Sequence, residues 1–255
     1  MQGQSADSAA RPRRTRRPGG HAVRLRHRPQ PPSPLSHLPH PICREEPAVP
    51  PVEAVADTRT PTPSAVPGLL DRIGDWGPIA TSAGVFRLVP VRIDRDLPLV
   101  GRWMNDPAVA AFWELSGPEP VTERHLRRKL ADGRSIPFLG LLEGRPMSYW
   151  EVYRADLDPL ARHYPARPHD TGIHLLIGGV ADRGRGLGGP LLRGVTELLL
   201  DRRSACARVV AEPDLRNIPS IATFLSAGFR LSAELALPSK RAALMVRDRV
   251  LSELS

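Results

Sequence analysis

The sequence predicts an α/β protein of the α+β kind, with a mixed, mostly antiparallel central sheet and helices on both faces. Three observations carry this. From Val85 onward, short stretches of two-residue alternation trade places with stretches of helical spacing. In the middle of the chain, three strand-like stretches follow one another with no helical pattern between them, which suits antiparallel neighbours. A glycine-rich turn, Arg183-Gly184-Arg185-Gly186-Leu187-Gly188, then joins a strand-like stretch to a helical one.

In order, Phe86 to Val91 alternates like a first strand. Asp94 to Asn105 carries Leu97, Val100, Trp103 and Met104 at helical spacing, and Val109 to Trp113 is a short apolar piece. Thr122 to Leu130 reads as a very basic helix with Thr122 at its N-cap. Phe138 to Leu142 and Met147 to Tyr153 flank the turn Glu143-Gly144-Arg145-Pro146 as a hairpin. Residues 154–170 show no period and read as a long loop. A strand at 172–177, the glycine turn and a helix over 187–201 follow, the helix marked by Leu191, Leu192, Val195, Leu198 and Leu199. Ala207 to Ala211 is a strand, and a helix from Asn217 or Pro219 to Ala227 stops at Gly228. Leu231 to Leu237 and Ala242 to Val246 close the sheet. The order β-α-α-β-β-β-α-β-α-β-β packs naturally as one layered domain, expected over 81–255.

The first 80 residues differ in kind. Eight arginines crowd positions 11–28, Asp7 is the only acid before Glu45, and about half of the 29 prolines precede residue 80. Such a segment buries too little apolar surface to offset its ordering entropy, so residues 1–80 are expected to be a disordered extension. Much of the net charge of +9 lies there. A folded basic patch is therefore not implied, and nucleic acid is not the expected partner. His21 to His40 supplies no apolar stretch for an export signal. A basic arm and a start codon placed too far upstream both remain open for the tail. No apolar stretch reaches membrane-spanning length. Cys43 and Cys206 form neither a disulfide framework nor a zinc pattern, so a reducing cytoplasm is expected and no metal.

A glycine-rich turn that opens a helix exposes several backbone N–H groups beside the positive end of the helix dipole, which suits a pyrophosphate. The spacing Arg183-x-x-Gly186-x-Gly188 departs from the dinucleotide and P-loop fingerprints. It resembles the acyl-CoA loop of the GNAT N-acetyltransferases, and the order of elements over about 85–250 is similar to theirs. Trp103-Met104-Asn105-Asp106-Pro107, Phe112-Trp113, Tyr149-Trp150-Glu151-Val152-Tyr153, Gly172-Ile173-His174, Glu212 to Asn217 and Lys240 to Leu244 resemble the siderophore-type branch, which includes mycobactin lysine and aerobactin hydroxylysine acyltransferases.

The resemblance implies transfer from acetyl-CoA or another acyl-CoA, possibly from an acyl carrier protein. The acceptor would be the terminal amine or N-hydroxyamine of a small lysine- or diamine-like molecule, in hydroxamate siderophore synthesis. It implies His174 as the base, where a histidine of ordinary pKa near 6.5 suits proton transfer. Glu212, where the family often has Asp, either holds the imidazole in one tautomer or acts with it as a base. It implies CoA contacts from Leu176, Ile177, Arg183, Gly184, Arg185, Gly186, Leu187, Gly188, Gly189 and Asn217, the last also a good N-cap. The long aromatics are core residues by default. Trp113 and Tyr153, with Asp214, are expected to line the amine pocket. Lys240 and Arg241 fit either ordinary surface charge or a substrate carboxylate. Two other classes stay open: a GNAT enzyme for an aminoglycoside or a protein N-terminus, and a non-catalytic binding subunit.

Overall fold

The computed structural model describes Leu70 and residues 73–249. Its strands are β1 (Ile79–Thr81), β2 (Gly84–Pro90), β3 (Ser135–Leu142), β4 (Arg145–Arg154), β5 (Thr171–Ile177), β6 (Arg208–Ala211), β7 (Arg230–Ala236) and β8 (Arg241–Asp248). Its α-helices are α1 (Ile93–Met104), α2 (Pro107–Trp113), α3 (Glu119–Ala131), α4 (Gly188–Arg202) and α5 (Ile218–Ser226). The strands form one sheet in the order β1-β2-β3-β4-β5-β6-β8-β7. All neighbours are antiparallel except β5 and β6, which run parallel and pair only at Thr171↔Val209 and Gly172↔Val210. Beyond Gly172, the edge of β5 that faces away from β4 has no strand partner.

Alternation along the central strands sends neighbours to opposite faces. Phe138 and Trp150 join Leu191, Leu192, Val195 and Leu199 of α4 in one core cluster, while Leu139 and Tyr149 join Val100, Trp103 and Met104 of α1 and Leu126 of α3 in another. The predicted class and helix placement hold.

Four details correct the expectations. The expected extension runs too far, because Leu70 and Ile73 are 1% and 2% exposed in the α4-side core and β1 pairs with β2. Three-residue strands carry too little alternation to be read. Gly194 gives β1 room, since a Cβ there would stand 3.0 Å from Ile79 and 3.1 Å from Thr81. The rest of that extension, residues 1–69, lies outside the described residues. The short apolar piece is helix α2, with Asp106 accepting from the Ala108 amide as its N-cap and Pro107 opening it. Helix α3 starts at Glu119 after Pro118, so Thr122 is not its cap but lies buried one turn in. The loop at 154–170 is pinned by two 3-10 turns and by Asp170, which accepts from Tyr164 and pairs with Arg208 at 2.7 Å.

Candidate active site

His174 and Glu212 come from neighbouring strands. His174 is central in β5, and Glu212 directly follows β6. They meet at 2.6 Å, His174 Nε2 to Glu212 Oε1. Tyr153 Oη donates to Glu212 Oε2 at 2.8 Å from beneath, its ring 4.8 Å from the imidazole. The tyrosine reaches that place because residue 172 is glycine, where a Cβ would fall within 2.4 Å of the Tyr153 ring. Gly172 in the sequence motif is thus a packing requirement.

The other ring nitrogen of His174 faces Glu151 Oε2 at 3.5 Å. Glu151 is 1% exposed, yet it lies at the centre of β4 among apolar neighbours. A buried charge needs partners, and Glu151 has four. Tyr149 Oη donates to it at 2.9 Å, and His125 Nε2 lies at 2.6 Å, Lys129 Nζ at 2.8 Å and His174 at 3.5 Å. His125 and Lys129 are four apart on α3 and so share one face. Lys240 Nζ stands 3.7 Å from Glu212.

These charges set the protonation. Burial pushes the His174 imidazolium toward its neutral form, but the Glu212 charge and hydrogen bonds to Glu151 and Glu212 outweigh it and lift the pKa to about 9. Burial likewise raises Glu212, yet the His174 charge and hydrogen bond bring it down to about 2. Glu151 is held well below the usual carboxylate range, with the hydrogen bond from His125 the largest effect opposing its burial. The histidine expected near 6.5 is therefore held toward the imidazolium at neutral pH. No residue-by-residue reading of β5 shows this, because the cause lies on β4 and after β6.

A cavity of about 230 Å³ opens over the pair, and Trp113, His125, Lys129, Glu151, Asp214 and Lys240 are among its walls. Trp113 lines it as expected, edge-on to His174 at 6.1 Å. Tyr153 does not line this cavity; it supports the pair from the buried side. Asp214 lines it while accepting from the Arg216 amide and pairing with the Arg216 guanidinium at 2.7 Å. Asn217 lines it too, and its Oδ1 caps α5 at the Ser220 amide. Sequence reading missed Glu151, His125 and Lys129 as site residues. The available signal was a carboxylate in the middle of an apolar strand.

The glycine turn lies at the end of β5. Arg183 does not project a free side chain. Its guanidinium donates to the carbonyls of Ile177 and Gly178 and to Asp106 Oδ1, tying β5 to the start of α2. Trp103 packs on Gly178, where a Cβ would come within 2.4 Å of its ring. Asp182 anchors the turn to β4 through Arg145 at 2.7 Å, and the exposed Arg185 stands 3.7 Å from it. Gly184 and Gly186 have φ of +69° and +71°, the left-handed region that favours glycine. Helix α4 begins after Leu187 with no side-chain cap and no acid in its first turn. Gly188 and Gly189 let it pack on α5, where Cβ atoms would stand 3.0 Å from Thr223 and 2.4 Å from Ser226.

Residues 92–237, more than half of the chain, match the acetyltransferase (GNAT) domain. The chain belongs to the GNAT acetyltransferases. It is 39% identical over 148 residues to the Escherichia coli protein named N(6)-hydroxylysine O-acetyltransferase, a match covering 58% of this chain and 47% of that one. The chain thus spans about half the length of that relative. It is 36% identical over 153 residues to lysine N-acyltransferase MbtK of Mycolicibacterium paratuberculosis, covering 60% and 69%. Among solved structures, an uncharacterised Bacillus halodurans protein superposes with a TM-score of 0.63 at 33% identity, over 68% of this chain and 90% of that one. An aminoglycoside acetyltransferase, AAC(6')-Ib, superposes at 0.57 and 25% identity, over 64% and 92%.

GNAT enzymes use acyl-CoA, and three features of this chain fit it. These are the free edge of β5 beyond Gly172, the uncapped start of α4, and a turn whose glycines keep side chains away from the backbone amides. Among the described residues no helix is long and apolar enough to cross a membrane.

Proposed function

We propose that this enzyme acylates the terminal nitrogen of a lysine- or diamine-like amine or N-hydroxyamine, as a cytoplasmic step of hydroxamate siderophore synthesis. The observation that carries this reading is the 2.6 Å His174–Glu212 pair at the base of a cavity, directly beside the unpaired edge of β5. The kinship to a hydroxylysine acetyltransferase and a lysine acyltransferase supports the acceptor class.

Bound acyl-CoA supplies a thioester, so the transfer forms a C–N bond, breaks a C–S bond and moves one proton from nitrogen to the departing thiol. The amides of residues 183–189 hold the pyrophosphate, with Arg183 fixing the turn rather than contacting the anion. Backbone N–H near Leu176 and Ile177 polarises the thioester carbonyl. His174, once it has released its own proton, accepts the proton from the nitrogen, and Glu212 keeps the ring in place. Tyr153 orients Glu212, while Trp113 forms an apolar wall for the methylene chain. Asn217 and Asp214 shape the mouth beside them.

A thiol-release assay with acetyl-CoA against lysine, N6-hydroxylysine, N-hydroxycadaverine and kanamycin tests this. Turnover of the first three and not of kanamycin is the expected result. The fold shared with an aminoglycoside acetyltransferase makes kanamycin the decisive control, and its preference over the others would replace this reading.

A further inference from the structure

Each of the two buried carboxylates of the pocket already faces a lysine ammonium and the His174 ring. On Glu151, Oε1 takes Tyr149 Oη at 2.9 Å and faces His125 Nε2 at 2.6 Å, while Oε2 pairs with Lys129 Nζ at 2.8 Å and faces His174. On Glu212, Oε2 takes Tyr153 Oη, and Oε1 meets His174 Nε2 at 2.6 Å with Lys240 Nζ at 3.7 Å. Asp214, the third acid on the wall, is engaged by the Arg216 backbone and guanidinium. Both lysines line the cavity and are mostly buried, at 18% and 26% side-chain exposure.

We infer that Lys129 and Lys240 are specificity-determining residues that fill the cation positions opposite Glu151 and Glu212, so that the acceptor's reacting nitrogen must arrive neutral, as an N-hydroxyamine rather than an alkylammonium. An alkylammonium brings one positive charge and three N–H donors into a pocket whose two carboxylates are already paired with cations. Like charges forced together in a confined pocket weaken binding. An N-hydroxyamine brings no charge, and its hydroxyl oxygen accepts a hydrogen bond from a lysine ammonium. The charge on His174 adds to the same bias. Glu151 and Tyr153 from β4 and Glu212 after β6 contact His174, and His125 and Lys129 from α3, Asp214, and Lys240 before β8 share its cavity.

This inference rests on the acceptor class proposed above, and the two are tested by different readouts. Calorimetric binding of lysine and of N6-hydroxylysine to the CoA-saturated full-length protein near neutral pH reads the charge bias, and thiol release reads acyl transfer. The hydroxylated acceptor is expected to bind about tenfold or more tighter. Lys129→Gln and Lys240→Gln are each expected to narrow that ratio, improving lysine binding by relief of the like charge and weakening N6-hydroxylysine binding by loss of the ammonium donor. Equal or tighter binding of lysine by the unaltered protein overturns the inference, as does a ratio that neither variant moves. Preferential binding of N6-hydroxylysine without thiol release supports the charge bias and overturns the acyl-transfer reading. Binding of neither acceptor overturns both.

Discussion

Raising the pH through 9 is the most direct perturbation of the His174 contacts. Although burial disfavours the imidazolium, Glu212 and Glu151 lift its pKa from 6.5 to about 9. The folded chain therefore holds this proton more tightly than the unfolded chain does. The stabilisation is full below the unfolded value of about 6.5 and is lost as pH rises through about 9. Each pKa unit corresponds to about 1.4 kcal/mol, so the loss is about 3 kcal/mol at most for a ring with one edge in the cavity. Glu212, brought to about 2 against the effect of its burial, reports the same pair from the other side. Its share is present above its unfolded value and lost as pH falls through about 2, and the two figures are not to be added. Urea unfolding of the unaltered protein and of His174→Gln, at about pH 6 and about pH 10, measures the difference. The stability gap between the two proteins should shrink by about 2–3 kcal/mol at the higher pH. Turnover of lysine should rise over the same interval, as His174 becomes able to accept a proton. Parallel stability curves would show that folding leaves the His174 pKa unshifted, and the account of a raised pKa would fall.

Glu151→Gln leaves Lys129 without its buried counter-charge, while His174 keeps Glu212, and should cost about 3–5 kcal/mol in urea unfolding; a cost under about 1 kcal/mol would mean that water already compensates the cluster. Gly186→Ala forces a Cβ into a left-handed backbone, with no neighbour within 4 Å to clash, so strain of about 1–2 kcal/mol is expected. That strain should appear as weaker CoA binding by calorimetry, and unchanged binding would reduce the loop to a simple turn. Deleting residues 1–80 removes Leu70, Ile73 and most of β1, each buried apolar side chain contributing about 1.5–3 kcal/mol. The truncated protein should unfold at clearly lower urea than one lacking only 1–69, and equal midpoints would show that this packing contributes nothing.

How much could be read beforehand depends on the range of the interaction. The turn at 183–188 was legible because strand, glycines and helix are consecutive, and periodicity gave α1, α4 and α5 in the same way. His174 and Glu212 stood out through the motifs around them, and their convergence follows from adjacent strands. Glu151 was quoted within a motif but not read as a site residue. Its meaning comes from His125 and Lys129, and only the packing of α3 against the sheet brings those within 3 Å. Arg183 was legible as a loop residue but not as a strut, since its partner Asp106 is 77 positions away. β1 escaped notice because three residues offer one period of alternation at most. The pKa of His174 was misjudged for the same reason as Glu151: charge effects follow distance in space, and the second carboxylate is 23 residues away in sequence.

One local feature links the two halves of the site. β5 and β6 pair over only two residues, and the pairing stops at Gly172. Past that point the strands diverge, so the β5 edge is free for an extended ligand, and the space opened between the strands becomes part of the cavity walled by Ile173, His174, Ala211 and Glu212. Diverging strands would normally carry their side chains apart. Here the 2.6 Å contact of His174 with Glu212 bridges the gap, held by Tyr153, whose ring occupies the space above Gly172. A larger residue at 172 would displace that ring, release Glu212 and leave His174 with only the longer contact to Glu151. The residue that ends the strand pairing is therefore also the one that permits the His174–Glu212 pair, which is why the free edge of β5 and the carboxylate-bound imidazole occur side by side.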